Sequence, residues 1–527
     1  MPMKVLIADQ IDKVCSDVFR SEGFEVVESP GLSLPALKEK IKDVDALVVR
    51  SVTQVTAEVL AAGSSLKVIG RAGAGVDNID CDAATRRGIV VMNTPGGNTV
   101  STAEHTMSML LSLSRNIPQA FDSLRRGEWD RKRFVGTELQ GKTIGIIGLG
   151  KIGREVALRC QSFELITIGF DPVLAGEVAA KLNIELVSLE EVYARSDFIT
   201  VHTPLNEETR GLINDSALGR CKQGVRLINC ARGGIIDEGA LLRGLESGKV
   251  AGAALDVFVE EPPRENRLLS SPRVIATPHL GASTEEAQEK VARQIAIQIA
   301  DMLKERGIVG AINADVVQMS LRQDIKPFVN LAEKLGSLAA QLAGGKLKQI
   351  SITTAGPSVT QSGELISAAV LKGVLTHHFT EPVNLINAPI LAREMGVVLS
   401  ERKEADGGSY TNLIKVEYES AQGKRIAAGT VFGNSHPRIV RVDDYYLEIL
   451  PMGNLLFYRN IDRPGMLAGV GATLASAGIN IGGLALGRDN PGERAVTIIN
   501  IDTPIPPAVL KNLEKIEGVF EVKQVRL

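Results

Sequence analysis

Arg232, Glu261 and His279 are the residues of this 527-residue chain whose types best complete one another as a reaction centre. Each follows an apolar run of the kind that forms a strand. Arg232 comes after Asn229-Cys230-Ala231 and before Gly233-Gly234, Glu261 ends the stretch Asp256-Val257-Phe258-Val259-Glu260-Glu261 ahead of Pro262, and His279 stands in Thr277-Pro278-His279-Leu280-Gly281. An imidazole can take a hydroxyl proton while hydride leaves the same carbon. A carboxylate beside it holds the ring and favours its charged form. A guanidinium grips a carboxylate through two hydrogen bonds and polarises a developing carbonyl. Together the three suit hydride transfer to and from a secondary alcohol that carries a carboxylate. Singly, each has an ordinary explanation: a satisfied structural histidine, a solvated loop glutamate, an arginine in a turn.

Such chemistry needs a hydride carrier, and one stretch is built to hold it. The apolar run Thr143-Ile144-Gly145-Ile146-Ile147 leads into Gly148-Leu149-Gly150-Lys151-Ile152-Gly153, a helical pattern follows, and a second strand ends at Asp171, eighteen residues past Gly153. In this layout the first glycine allows a tight turn, the second lets backbone approach a pyrophosphate, and the third lets helix pack on strand. The phosphates rest on free N–H groups at the helix N-terminus. Asp171 would accept hydrogen bonds from the adenine ribose and repel a 2′-phosphate. Pro172 and Val173 follow it, with no arginine to hold that phosphate, so NAD is expected over NADP. The alternative is that Asp171 only caps a turn at the strand end. In an open parallel sheet, ligands lie beyond the carboxyl ends of the strands, where the three reactive residues also fall.

Composition sets the limits. A chain this long divides into about three or four domains. It is 44% hydrophobic and 23% charged with a net charge of −3, which describes a globular protein without bias toward nucleic acid or anionic membrane. No apolar run reaches the roughly 18 residues that span a bilayer. Cys15, Cys81, Cys160, Cys221 and Cys230 show no C-x-x-C spacing, which suits a reducing cytoplasm and argues against a structural metal site. One Trp and six Tyr leave little for stacking on bases. The run Arg125-Arg126-Gly127-Glu128-Trp129-Asp130-Arg131-Lys132-Arg133 is therefore expected first as a solvated basic face.

Around the glycine loop the chain reads as alternating strands and helices. Short apolar runs at 5–8, 46–49, 68–70 and 90–92 imply one doubly wound parallel sheet. The sheet starting at Thr143 continues through runs at 198–202, 227–230, 253–257 and 274–277. Residues 102–114 have helical spacing, and a long amphipathic helix from Thr284 to about Glu305 would return the chain to the first sheet. Residues from about 313 to 450 show mixed pieces and no catalytic constellation. The last 75 or so residues read as β-α-β-β-α-β, a ferredoxin-like pattern. In its first helix Met466, Leu467, Val470, Leu474 and Ala477 are expected on one apolar face, with Gly478 as the glycine that ends it.

The motif Arg71-Ala72-Gly73-Ala74-Gly75-Val76-Asp77-Asn78-Ile79-Asp80, the glycine loop and the segments 229–234, 256–262 and 278–284 together resemble the D-2-hydroxyacid dehydrogenases. The tail narrows this to members that end in an ACT domain. The resemblance implies a nucleotide-binding Rossmann domain (98–282) inserted in a flavodoxin-like substrate domain (1–97 and 283–312). An α+β intervening domain (313–451) and a ferredoxin-like ACT domain (452–527) would follow. It implies NAD-dependent oxidation of 3-phospho-D-glycerate to 3-phosphooxypyruvate, on the phosphorylated route to L-serine, by a cytoplasmic homo-oligomer, dimer or tetramer. Other 2-hydroxy acids of the glycerate or glyoxylate kind, or an NAD-sensing scaffold, are the competing readings.

The same resemblance implies roles. Arg232 would bind substrate, Glu261 orient the histidine, and His279 serve as acid and base. Arg50 and Ser51 would help hold the substrate phosphate, Gly73, Ala74 and Gly75 would offer N–H groups to its carboxylate, and Asn98 would also contact substrate. Thr203, Pro204, Cys230, Ala231, Arg232 and Asp256 would surround adenosine, ribose and nicotinamide, with His279, Gly281 and Ala282 beside the carboxamide. Arg131 and Lys132 would reach the partner subunit's active site. In the tail Asn460, Asp462 and Asn480 would bind an amino-acid effector such as L-serine, unless Asp462 merely caps the following helix. One departure is Glu164, which stands where the family usually has glycine before the second strand; no consequence for the fold is expected.

Overall fold

The computed structural model describes residues 2–314, 322–344, 346–379, 382–433, 435–488 and 490–527. Their strands form four sheets. The first holds β1 (Lys4–Ile7), β2 (Glu25–Glu28), β3 (Ala46–Val49), β4 (Val68–Arg71) and β5 (Val90–Met92) in the order β2-β1-β3-β4-β5. All its pairings are parallel. A parallel sheet is covered on both faces, which is why β3 is apolar and buried at each of its four positions. Val5, Val48, Val68 and Val90 face the helix Glu285–Leu303, while Leu6, Leu47, Ile69 and Val91 face the other side.

The second sheet is also wholly parallel. It comprises β6 (Thr143–Ile147), β7 (Ile166–Phe170), β8 (Glu185–Leu186), β9 (Phe198–Val201), β10 (Val225–Asn229), β11 (Val250–Leu255) and β12 (Val274–Ala276), ordered β12-β11-β10-β9-β6-β7-β8. The strand order reverses between β6 and β9, the place where such sheets bind dinucleotides. Two helices carry the chain between the sheets. Thr99–Arg115 leads out of the first sheet and packs with β10, β11 and β12. Glu285–Leu303 returns, started by the Thr284 side chain accepting from the Ala287 N–H and by Glu285 and Glu286 in its first turn.

The described residues between 322 and 450 hold a third sheet, parallel between β13 and β14 and antiparallel elsewhere: β13 (Leu347–Ala355), β14 (Val398–Glu404), β15 (Leu413–Ser420), β16 (Gly423–Phe432), β17 (His436–Val442) and β18 (Tyr445–Ile449), in the order β14-β13-β15-β16-β17-β18. The helices Lys326–Leu342 and Gly363–Leu375 pack together beside it. The tail has the expected order of elements: β19 (Asn454–Ile461), helix Met466–Ser476, β20 (Ile481–Arg488), β21 (Arg494–Ile501), helix Pro507–Glu514 and β22 (Val519–Arg526), with strands arranged β20-β21-β19-β22.

One local expectation changes, and two features add detail. Leu467 and Ala477 are exposed, because the buried stripe of their helix is the narrower series Met466, Val470 and Leu474. The tail sheet buries both faces: Leu456 and Tyr458 meet its own helices, whereas Leu455 and Phe457 join the core of the preceding sheet. Glu164 has φ of 58°, the left-handed backbone that glycine adopts without strain, and the parallel sheet forms around it as expected.

Candidate active site

Every expected catalytic or cofactor segment leaves the carboxyl end of a parallel strand, and the ends of the first two sheets face one cleft of about 750 Å³. His279 lies just beyond β12 with φ of 55°. Its N–H donates to the Asp256 carbonyl at 2.9 Å, and its Nδ1 lies 2.7 Å from Glu261 Oε2. Nε2 has no protein partner among the described residues and is the nitrogen left for a substrate. The other Glu261 oxygen accepts the Phe258 N–H at 3.1 Å. Burial works to raise the Glu261 pKa, yet the hydrogen bond and charge of His279 and the Phe258 N–H hold it below its ordinary value. The pair is thus an ionised carboxylate orienting an imidazole.

Arg232 follows β10 in a turn tied by Asn229, whose side chain accepts the Ala231 N–H at 3.0 Å and donates to the Arg232 carbonyl at 2.9 Å. Its guanidinium crosses the cleft: Nε donates to Asp77 Oδ2 at 3.0 Å, and Nη2 lies against Gly75. Arg50 and Ser51, beyond β3, line the same cleft. The Arg50 N–H is held by Asp9 at 2.6 Å, while its guanidinium has no partner among the described residues.

The loop at Gly73 is arranged differently from expectation in one detail. The Gly73 N–H turns back onto the Arg71 carbonyl at 2.9 Å, so only the N–H groups of Ala74 and Gly75 remain for an anion. Arg71 holds that loop, donating to the Arg50 carbonyl at 3.1 Å, to Asn78 at 2.8 Å and to the Gly75 carbonyl at 2.7 Å. Burial and its arginine neighbours lower the Arg71 pKa. Arg71 and Asp77 lay in a motif already noted, but their roles depend on residues brought in from other strands.

The glycine loop fits a dinucleotide. Gly148 has φ of 93°, and a Cβ there would run into the His202 carbonyl; one at Gly153 would run into the Gly148 carbonyl. Space at Gly150 is open, and among the described residues no side chain caps the helix Lys151–Ser162, whose first N–H groups are left for phosphate. Lys151 Nζ reaches the Pro95 carbonyl at 3.2 Å, and Ile152 lines the cleft. Asp171 does cap its turn, taking the Leu149, Val173 and Leu174 N–H groups at 2.8 to 2.9 Å. Burial opposes its charge, but these three donors keep its pKa low. A carboxylate has about four acceptor positions, so one remains for a ribose hydroxyl.

Thr203, Pro204, Cys230, Ala231, Gly281, Ala282 and Asn98 line the cleft with Thr102 and His202, which sequence reasoning left without roles. Asp256 does not. It is fully buried behind the wall, bonded to Thr277, Leu280 and Gly281. Arg131 and Lys132 are exposed and away from the cleft of their own chain.

In the tail the three effector candidates have other partners. Asn460 is buried, donating to the Ile461 carbonyl and accepting from Thr497, because its β19 position points inward. Asp462 pairs with Arg488 at 2.8 Å and does not cap the helix, and Asn480 donates to Asp502 at 2.8 Å.

Comparison with known proteins agrees with this geometry. Three family models match: the NAD binding domain of D-isomer specific 2-hydroxyacid dehydrogenase over residues 107–281, the D-3-phosphoglycerate dehydrogenase intervening domain over 324–443, and the ACT domain over 454–518. A D-3-phosphoglycerate dehydrogenase of Archaeoglobus fulgidus is 42% identical over 100% of both chains, and one of Homo sapiens is 46% identical over 91% of each. The structure of an Aquifex aeolicus D-lactate dehydrogenase complexed with NAD and lactic acid superposes with a TM-score of 0.52 at 26% identity, covering 57% of this chain and 96% of that one. The chain belongs to the D-3-phosphoglycerate dehydrogenases, NAD-dependent enzymes of the D-2-hydroxyacid dehydrogenase class.

Proposed function

We propose that the cleft oxidises 3-phospho-D-glycerate to 3-phosphooxypyruvate, the opening step of a phosphorylated route to L-serine in the cytoplasm. The observation that carries this reading is Arg50: a guanidinium without a carboxylate partner among the described residues, in the cleft that also holds Arg232 and the His279–Glu261 pair. A substrate with a carboxylate at one end and a phosphate at the other uses both arginines. The Ala74 and Gly75 N–H groups and Arg232 take the carboxylate, and Arg50 with Ser51 takes the phosphate. His279 Nε2 removes the C2 hydroxyl proton, and Glu261 stabilises the imidazolium that results. Arg232 polarises the oxygen as it becomes a carbonyl. NAD, bound along the glycine loop and Asp171, supplies the hydride acceptor.

In this reading 1–97 with 283–312 hold substrate, 98–282 the cofactor, 313–451 connects, and 452–527 senses an effector. Ile117, Phe121 and Leu124 are exposed on the helix Ile117–Arg125, with Trp129 and Val135 beyond it. Two copies pairing through that surface would bring Arg131 and Lys132 to a partner's cleft. L-serine is the proposed effector, held between two tails by Asp462 and Asn480 once these leave Arg488 and Asp502; Asn460, buried and satisfied, contributes shape only. Initial rates of NADH formation decide the substrate. 3-Phospho-D-glycerate should exceed D-glycerate and D-lactate in kcat/KM by roughly a hundredfold or more, since a lost charge-assisted contact is worth about 2–3 kcal/mol. Equal rates would remove the phosphate assignment.

A further inference from the structure

The turn carrying His279 is gripped from behind by one face of the helix Thr99–Arg115. Ser101 Oγ and Thr102 Oγ1 both donate to the Gly281 carbonyl, at 2.8 and 3.1 Å. One helical turn past Ser101, His105 Nε2 lies 3.1 Å from Thr277 Oγ1 and 3.2 Å from Asp256 Oδ1. Asp256 in turn organises the whole segment. Its Oδ1 accepts the Thr277 hydroxyl at 2.6 Å and the Leu280 N–H at 2.7 Å, its Oδ2 accepts the Gly281 N–H at 2.9 Å, and its carbonyl accepts the His279 N–H. Since the Thr277 proton points to Asp256, the remaining lone pairs of Thr277 and Asp256 face His105 as acceptors, and Nε2 is the nitrogen that carries hydrogen. His279 sits in the left-handed region, which a residue other than glycine holds only when its surroundings over-determine it.

We propose that His105, supported by Ser101 and Thr102, is a positioning residue for the reaction. By fixing the Asp256 carboxylate it holds the 277–281 turn, and so keeps Nδ1 of His279 on Glu261 and Nε2 toward the substrate. The proposal rests on His279 being the acid and base. Ser101 and His105 are four apart and share a helix face, so the clamp is a property of that helix and not of the strand that bears His279.

His105→Ala and His105→Gln in the full chain test it, the latter keeping an N–H donor. Amide hydrogen exchange on the enzyme without substrate or cofactor gives the first readout. His105→Ala should exchange faster across 277–283 and at the wild-type rate elsewhere, and His105→Gln should restore protection. In the assay, kcat of His105→Ala should fall by about tenfold, the low end for loss of a group that orients a reacting ligand, with KM and the NADH dissociation constant within about twofold. Unchanged exchange in 277–283, faster exchange throughout the chain, or a rise in KM at constant kcat would each overturn the proposal. If His105→Ala does not fold, His105→Leu, which fills the volume without donating, is read in the same way. A His279→Ala enzyme with normal turnover would instead overturn the reading of His279, leaving the exchange result to stand by itself.

Discussion

At His279 two kinds of contact divide the work: backbone bonds to Asp256 fix where the residue sits, and Glu261 fixes how its ring turns. His279→Ala should lower turnover by at least about a hundredfold with little change in NADH binding, because proton transfer contributes about 10²–10⁴-fold. Glu261→Gln should do less harm, since an amide can still hold the ring while the imidazolium formed in the reaction loses its counter-charge. Arg50→Ala should weaken 3-phospho-D-glycerate far more than D-glycerate; equal losses in kcat/KM would assign Arg50 to the fold. His202 gives a prediction about stability. It lies beyond β9, its Nε2 3.0 Å from Thr200 Oγ1 and its Nδ1 without a partner among the described residues, and burial pushes its pKa down from 6.5 to about 4. The unfolded chain therefore binds a proton at a pH where the folded one refuses it. The stabilisation is complete above the unfolded pKa of 6.5 and is lost as pH falls toward about 4. Between about pH 7 and pH 4.5, urea unfolding of the wild type should lose about 2–3 kcal/mol more than that of His202→Gln. Equal losses would show that the ring is solvated.

The parallel strands were legible because they are buried on both faces: runs such as Ala46-Leu47-Val48-Val49 have no exposed position to interrupt them. Their connections followed, and with them the carboxyl-end placement of Arg232 and His279. What escaped were functions assigned by partners from distant elements. Asp256 reads as a cofactor contact until three N–H and O–H donors from 277–281 claim it. Asp462 reads as an effector contact, with a helix cap as the alternative, and nothing in the sequence pattern shows the Arg488 of β20 that it pairs with. In the region before the tail, β14 has almost no buried side chain, so its sequence Val398-Leu399-Ser400-Glu401-Arg402-Lys403-Glu404 bears no core pattern. Glu164 shows the same limit at the level of one turn. Its φ of 58° is invisible in the residue type, and a left-handed conformation costs a residue with a Cβ roughly 1–2 kcal/mol. Glu164→Gly should raise the urea midpoint, by about 1 kcal/mol in stability after the greater freedom of an unfolded glycine is offset. A lower midpoint would mean that the Gln140–Glu164 contact outweighs the strain.

Across the whole molecule, the last two sheets join into one body, and the catalytic cleft lies between the first two. Leu455, Phe457, Val496 and Ile498 of the tail share a core with Ile350, Val416 and Ile439 of the sheet before it. Arg425 and Arg459 bridge both units through Asp443 and Glu521. That body touches the catalytic half where Asn384 donates to the Gly88 carbonyl at 2.8 Å and Glu394 pairs with Arg86 at 2.9 Å. Among the described residues Ile386 adds an apolar contact there, packing on the core of the first sheet. The pairing of copies has its own check. A mixture of Arg131→Ala/Lys132→Ala chains and His279→Ala chains should recover activity that neither has alone, if those cations serve a partner's cleft; no recovery would confine them to solvent. The central claim is hydride transfer from the carbon bearing the hydroxyl, and deuterium tests it most directly. With 3-phospho-D-glycerate deuterated at C2 and unlabelled NAD in ordinary water, mass spectrometry of the NADH formed should find one deuterium in nearly every molecule, and NADH free of deuterium would contradict the account.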